Sequence, residues 1–578
     1  MREALRRAGA GAALPPAFLA LLAAGVPSPT AAALCCAAAL LPSALGRPRA
    51  APYALLAAAA GILVSALLLL PAAGVGGAAA LAAAVACCGL TPRLSAARAE
   101  VRGSPAEGAA AAFAAVGLWR CAAFLLGHSL YAACVIAAAL ACGLALGRLA
   151  RPRAQELRAW LSGLGPMLAG LLGLLLLHWL RVTGLNEAEP ARVRAAVLGW
   201  GDALRLCVQL GLGTAVFAAA LGAMEEDAPE ASRSAWLAAP LAPLAGALLL
   251  SSLGPDGAAA AGFFWLCALG AWRGLSRWRA HPILSRAVPV LLAAAAALAF
   301  GARGSLRDVV SSRLQSVYPG GNLLVWSEAR GEALGVYGFA TGLRAVLRDG
   351  VADFGGGDPA LLEAHLPLLA HKAGTVLFVD VLHAEAAAAA LAHDAQASFY
   401  APSPACGAVL EESLEGAPRP PSTATATCGW LRPPSGPFDA VVVHVDAPLT
   451  APERALLLTR EAAKAGRRRL TPGGLLAWRL PAAASSPAAQ RAQAALQAEF
   501  RDVAFAEFGG GTLLMASDAL EFNPQIAILR VTDAAETQLP GLRAKLAAGV
   551  PWTRAAASPL PATSAARPLG ALPARLRR

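Results

Sequence analysis

The sequence predicts a multi-span α-helical membrane bundle followed by a doubly wound α/β domain. Of 578 residues, 57% are hydrophobic and 15% charged, against about 45–50% and about 25% in soluble domains. Between residues 8 and 302 the chain holds successive apolar runs, most of them close to the roughly 20 residues that a bilayer span takes. After Gly304 the pattern changes to short β-branched or aliphatic runs separated by helical segments. A mean hydropathy of +0.56 excludes a disordered chain.

Residues 1–303 are expected to form the membrane part, with about ten to eleven helices. The basic loops Arg47 and Arg49, Arg93 to Arg102, Arg148 to Arg158 and Arg273 to Arg286 fall on one face, which the positive-inside rule makes cytoplasmic. Arg181, Arg192 and Arg194 fall on the other. Whether 287–302 crosses decides the side of the C-terminal part and is left open. The expected location is a multi-pass integral protein of a bacterial inner membrane, with the lipid bilayer as partner. Met1–Arg7 is basic, but the next run leads into further spans, so no cleavable signal is expected. Arg120, His178 and Arg205 lie within apolar runs. Near-end snorkelling or a buried pair is the plain reading of each, and a transport path the alternative.

The net charge of +12 is almost all arginine, the lysines being Lys372, Lys464 and Lys545. No basic face with interleaved aromatics occurs, so nucleic acid is not expected as a partner. Nine of the eleven cysteines sit in apolar runs, where Cys behaves as a small hydrophobe. Cys406 and Cys428 alone lie in the polar part, with no CxxC and no metal-ligand spacing.

In the second half, strands are expected at Asn322–Trp326, Gly335–Tyr337, Thr375–Asp380, Ala440–Val445 and Leu475–Leu480. Helices are expected at Leu361–Ala370, Glu385–His393, Pro452–Ala465 and Pro487–Phe500. Strands alternating with helices argue a parallel sheet with right-handed crossovers over residues 304–551. Pro472-Gly473-Gly474 reads as a tight turn before a strand. The Ala/Pro/Arg-rich segment 552–578 reads as a disordered basic tail.

Several segments carry a family resemblance. They are Leu118–Tyr131 (LWRCAAFLLGHSLY) with Leu144–Gly147, the helix His365–His371 (HLPLLAH) before the strand Thr375–Asp380, and the strand Phe438–Val443 (FDAVVV). Leu457–Glu461 (LLTRE) and Leu470–Leu476 (LTPGGLL) complete the set. In order and spacing, over most of residues 110–520, they resemble proteins that fuse a multi-span bundle to a spermidine-synthase-like domain of the polyamine aminopropyltransferases. The resemblance implies a Rossmann-like fold of the methyltransferase and spermidine synthase type. It also implies aminopropyl transfer from decarboxylated S-adenosylmethionine to a polyamine, both being candidate ligands.

That chemistry needs a glycine turn after the first strand, so that backbone can approach the nucleoside. It needs an acid after the second strand for the ribose hydroxyls, and a carboxylate after the fourth to hold and deprotonate the amine. The chain departs from each requirement. The first turn, Val379–Glu385, has no glycine, which leaves Asp380 as the cofactor-binding candidate there. The counterpart of the second strand, Ala397–Ser403, has no acid. His444 stands where the resemblance puts the catalytic carboxylate and Asp446 is its nearest substitute, so these two are the catalytic candidates. Gly355-Gly-Gly-Asp358 does not follow a strand and reads as a loop, and Gly509–Gly511 reads as a hairpin turn. No metal-ligand set emerges from the eight histidines, and no resident cofactor is expected. Three functions follow: an active membrane aminopropyltransferase; a homologue with a degenerate donor site that acts as a membrane scaffold or regulator; or a transporter with a metabolite-sensing domain.

Overall fold

In the computed structural model the described residues are 12–18, 52–64, 130–149, 165–179, 212–223, 241–277, 282–302 and 305–329, with a few isolated positions. Beyond these they are 332–340, 344–348, 351–353, 358–381, 383–401, 422–425, 436–445, 456–520, 524–547 and 552–563. The chain divides into two compact units, and in the continuous part the division falls between Arg313 and Leu314.

The N-terminal unit is helical: α1 Pro52–Val64, α2 Leu130–Leu149, α3 Leu212–Ala223, α4 Leu241–Arg277 and α5 Pro282–Ala302, with 165–179 also helical. Small residues let these helices approach closely. A Cβ on Gly270 of α4 would lie 2.3 Å from the Met167 backbone nitrogen, and one on Gly143 of α2 would lie 2.3 Å from the Ala215 carbonyl. Phe217 and Phe263 meet edge to face, with centroids 5.1 Å apart. His178 Nε2 donates to the Leu298 carbonyl at 3.1 Å.

The expected multi-span bundle, and with it the multi-pass inner-membrane location, is corrected here. Among the described residues no helix is long and apolar enough to cross a membrane. At 1.5 Å per residue, α1 and α3, with 13 and 12 residues, reach about 20 Å of a core about 30 Å thick. The 37-residue α4 carries Asp256, buried at its middle, and α5 carries Arg286 and Pro289. Alanine, which raises the hydropathy, is joined by glycine in close helix packing. Arg120 and Arg205 lie outside the described residues, as do Cys406 and Cys428.

After α6 (Ser305–Val317), the C-terminal unit opens with an antiparallel sheet in the order β1–β2–β3–β4: Asn322–Ala329, Glu332–Gly338, Arg344–Arg348 and Val351–Asp353. Then come α7 Asp358–Ala370, β5 Thr375–Val379, α8 Ala384–Ala392, β6 Gln396–Ala401, β7 Ser422–Thr425 and β8 Phe438–His444. They are followed by α9 Arg460–Arg467, β9 Leu470–Leu480, α10 Pro487–Gln497, β10 Asp502–Phe508 and β11 Gly511–Ser517. Three short helices, α11 Pro524–Leu529, α12 Asp533–Gln538 and α13 Leu542–Ala547, precede β12 Thr553–Arg554.

The large sheet runs β12-β10-β11-β9-β8-β5-β6-β7. Its five strands β7, β6, β5, β8 and β9 are parallel, and β11 is antiparallel to both β9 and β10. Alternation sorts the core onto two faces. Val376, Phe378, Ala440 and Val442 join one cluster with residues of α7, α8 and the small sheet. Leu377, Val379, Val441 and Val443 join the other with residues of α9 and α10. The doubly wound domain expected from the sequence is therefore present in this unit.

Two local expectations change. Pro472-Gly473-Gly474 lies inside β9 as an irregularity, where the pairing jumps from Phe438↔Leu470 to Ala440↔Leu475, and Gly473 takes φ +80°. Asp439 ties this edge together, its carboxylate accepting from Gly374 N, Thr375 N, Thr375 Oγ1 and Thr471 Oγ1 at 2.9–3.1 Å. Burial pulls the Asp439 pKa up, but the bonds from Thr471, Thr375 and Gly374 outweigh it and hold the carboxyl below its usual value. The segment from Trp552 is also not a free tail over its first part. Trp552 is buried, β12 pairs with β10, and the Thr563 carbonyl accepts from Arg460 N at the start of α9. The hairpin at Gly509–Gly511 is found, with φ +53° at Gly509 and +71° at Gly510.

Candidate functional site

In an open sheet of this kind, ligands bind outside the carboxyl ends of the strands, where the strand order reverses. Here the order reverses between β5 and β8, which pair in register with Val379 opposite Val443. One residue further on, Asp380 and His444 stand side by side.

Asp380 takes φ +61°. The absence of glycine suggests that this turn is closed to the left-handed conformation, but the chain adopts it with aspartate, which tolerates that region better than most side chains. Asp380 N continues the ladder to the Tyr400 carbonyl at 2.8 Å. Its carboxylate is bound by Arg348 of β3, Nη2 to Oδ1 at 2.8 Å, with side-chain exposures of 0% and 7%. An ion pair so buried is held by geometry, because each charge would be very costly without the other. A guanidinium and a carboxylate thus occupy the mouth of the sheet at the end of β5.

His444, the last residue of β8, is equally committed. Its Nδ1 donates to both oxygens of Glu363 at 2.8 and 2.9 Å, and both residues are buried. Glu363 comes from α7, where Pro367 four residues on supplies no N–H for its carbonyl. His383, the N-cap of α8, lies edge-on to His444 with ring centroids 5.6 Å apart, and its side chain does not cap the helix.

Of the residues singled out from sequence, Asp380 and His444 come together at this point, while Asp446 and Gly355–Gly357 lie outside the described residues. Arg348, Glu363 and His383 were missed. A charged residue ending the apolar strand Arg344–Arg348, and a glutamate two residues before His365 in an otherwise apolar helix, were the available signals. Among the described residues no group of three His, Cys, Asp or Glu could hold a metal ion.

No family model matches the chain, and no curated protein matches it. Among solved structures, it is similar to a spermidine synthase in complex with the transition-state analogue AdoDATO, at 14% identity and a TM-score of 0.30, over 38% of this chain and 88% of that one. A spermidine synthase from Thermotoga maritima matches at 13% identity and 0.29, over 38% and 87%. A probable spermidine synthase from Corynebacterium glutamicum matches at 16% and 0.30, over 42% and 95%. Identities and TM-scores of this size leave the functional question to the residues of the site.

Proposed function

We propose that residues 304–551 form an aminopropyltransferase-like domain whose donor site is filled by its own side chains, and which serves as a scaffold or regulator. The motifs over residues 365–476 and the reversal of strand order at β5 and β8 support the kinship. The buried Arg348–Asp380 pair at the end of β5 is the observation that carries the reading. A nucleoside entering there would have to displace a guanidinium and leave a buried carboxylate without its charge partner, at a cost of several kcal/mol. His444 supports the same conclusion, since Glu363 binds its Nδ1 where the family resemblance implies a carboxylate free to hold an amine.

Calorimetric titration of the whole chain with decarboxylated S-adenosylmethionine, and separately with methylthioadenosine, tests this. No saturable heat is expected at micromolar ligand. Saturable binding of either compound overturns the reading and restores aminopropyl transfer, with His444 and Asp446 as the residues to substitute next.

A further inference from the structure

A second pair of histidines lies away from the β5 and β8 ends. His365 of α7 and His393, the C-cap of α8, meet at Nδ1···Nε2 2.9 Å, with ring centroids 5.1 Å apart and planes at 72°. His365 is fully buried. The bond holds one proton: one ring donates and the other accepts, which is available to neutral imidazoles and to a singly protonated pair. Two imidazolium rings are donors at every nitrogen, so the bond cannot survive a second charge, and like charges would then face each other inside the core.

The surroundings make this contact a joint between elements. Arg530, just past α11, donates to the Leu369 and Ala370 carbonyls at the end of α7 at 2.9 and 3.0 Å. Thr532 Oγ1 donates to the Ala392 carbonyl at 2.5 Å, and Gln538 of α12 to the Ala388 carbonyl at 2.9 Å, both on α8. The chain from Arg530 to Gln538 thus clamps α7 and α8 around the two rings. Two residues before His365 on α7 is Glu363, which holds His444.

We propose that the His365–His393 bond is an acid-sensitive latch that keeps α7 on α8 and, when both rings are charged, gives way and withdraws Glu363 from His444. The ionisable groups around it are few. Asp394 adjoins His393 and favours its charged form, Glu363 is engaged by His444, and Arg530 is spent on α7 carbonyls. On α12, Gln538 is neutral, Asp533 pairs with Arg543, and Glu536 accepts from Gly541 N and Arg543 N. Burial lowers both histidines to about 4; His393 adds to the lowering at His365, where Gln538 opposes it, and Asp394 opposes it at His393. Because the folded state binds these protons more weakly than the unfolded chain, the unit loses stability as pH falls below about 6.5, and the loss levels off near pH 4.

Hydrogen exchange of the whole chain between about pH 7.5 and about pH 4.5, corrected for the intrinsic pH dependence of exchange, reads the latch locally. Residues 358–370 and 384–393 are expected to lose about tenfold in protection while the β10–β11 hairpin holds. In His393→Gln, whose amide can still donate to His365 Nδ1, the loss should shrink to about threefold or less. An unchanged pH response in that variant, or a wild-type loss spread evenly over the unit, overturns the proposal. If His393→Gln does not fold, His365→Gln is read by the same criterion. The outcome is independent of nucleoside binding, so it stands or falls apart from the calorimetric test.

Discussion

The two units draw on the same alanine- and leucine-rich composition and organise it differently. In the C-terminal unit neighbouring residues part company: Val376 and Phe378 face one cluster, Leu377 and Val379 the other. In the N-terminal unit the described helices are apolar over most of their length, with Asp256, Arg273 and Arg286 among the exceptions. Small residues such as Ala258–Ala260 are buried while Trp272 and Phe300 are each 78% exposed. The difference teaches that hydropathy marks a segment as apolar without saying what its faces meet. A periodic contrast between faces says where the core lies, and the described sheet of the second unit shows it.

Three substitutions sharpen this contrast, and exchange protection read unit by unit checks each. The largest effect is expected from Arg348→Ala, which removes the guanidinium paired with buried Asp380 and should cost the C-terminal unit about 3–5 kcal/mol. The N-terminal unit should keep its protection; an equal loss there would show that the units do not unfold separately. Gly270→Leu forces a side chain against Met167 and should cost the N-terminal unit about 1–3 kcal/mol. A neutral result would mean that α4 can shift away and that close packing does not organise this unit. Thr459→Ala removes the side-chain oxygen that accepts from Ala462 N at the start of α9, and should cost about 1 kcal/mol, confined to that helix.

Much of the C-terminal fold was legible. The apolar runs at 375–380, 440–445 and 475–480 became β5, β8 and β9 because buried parallel strands leave continuous aliphatic sequence. The helix expected over Pro452–Ala465 is observed as α9 from Arg460, with Thr459 capping its first turn. The short strands β3, β4 and β7, of five, three and four residues, went unread because so few residues leave little periodicity to see. At the site, Asp380 and His444 were legible from their positions after β5 and β8. Their partners were not, because Arg348 lies 32 residues away and Glu363 lies 81 away. The N-terminal half misled because apolar runs of about 20 residues read as spans, whereas no described helix is long and apolar enough for one.

The sequence by itself determined three of the parallel strands, β5, β8 and β9, that no glycine follows β5, and that an imidazole stands at the end of β8. Tertiary structure decided what those residues do. Proton affinity and charge pairing depend on distance and burial, and neither is local along a chain. Asp380 became half of an ion pair, His444 a ligand of Glu363, and His365 and His393 a single hydrogen-bonded unit only when separate helices and strands were brought within 3 Å of one another.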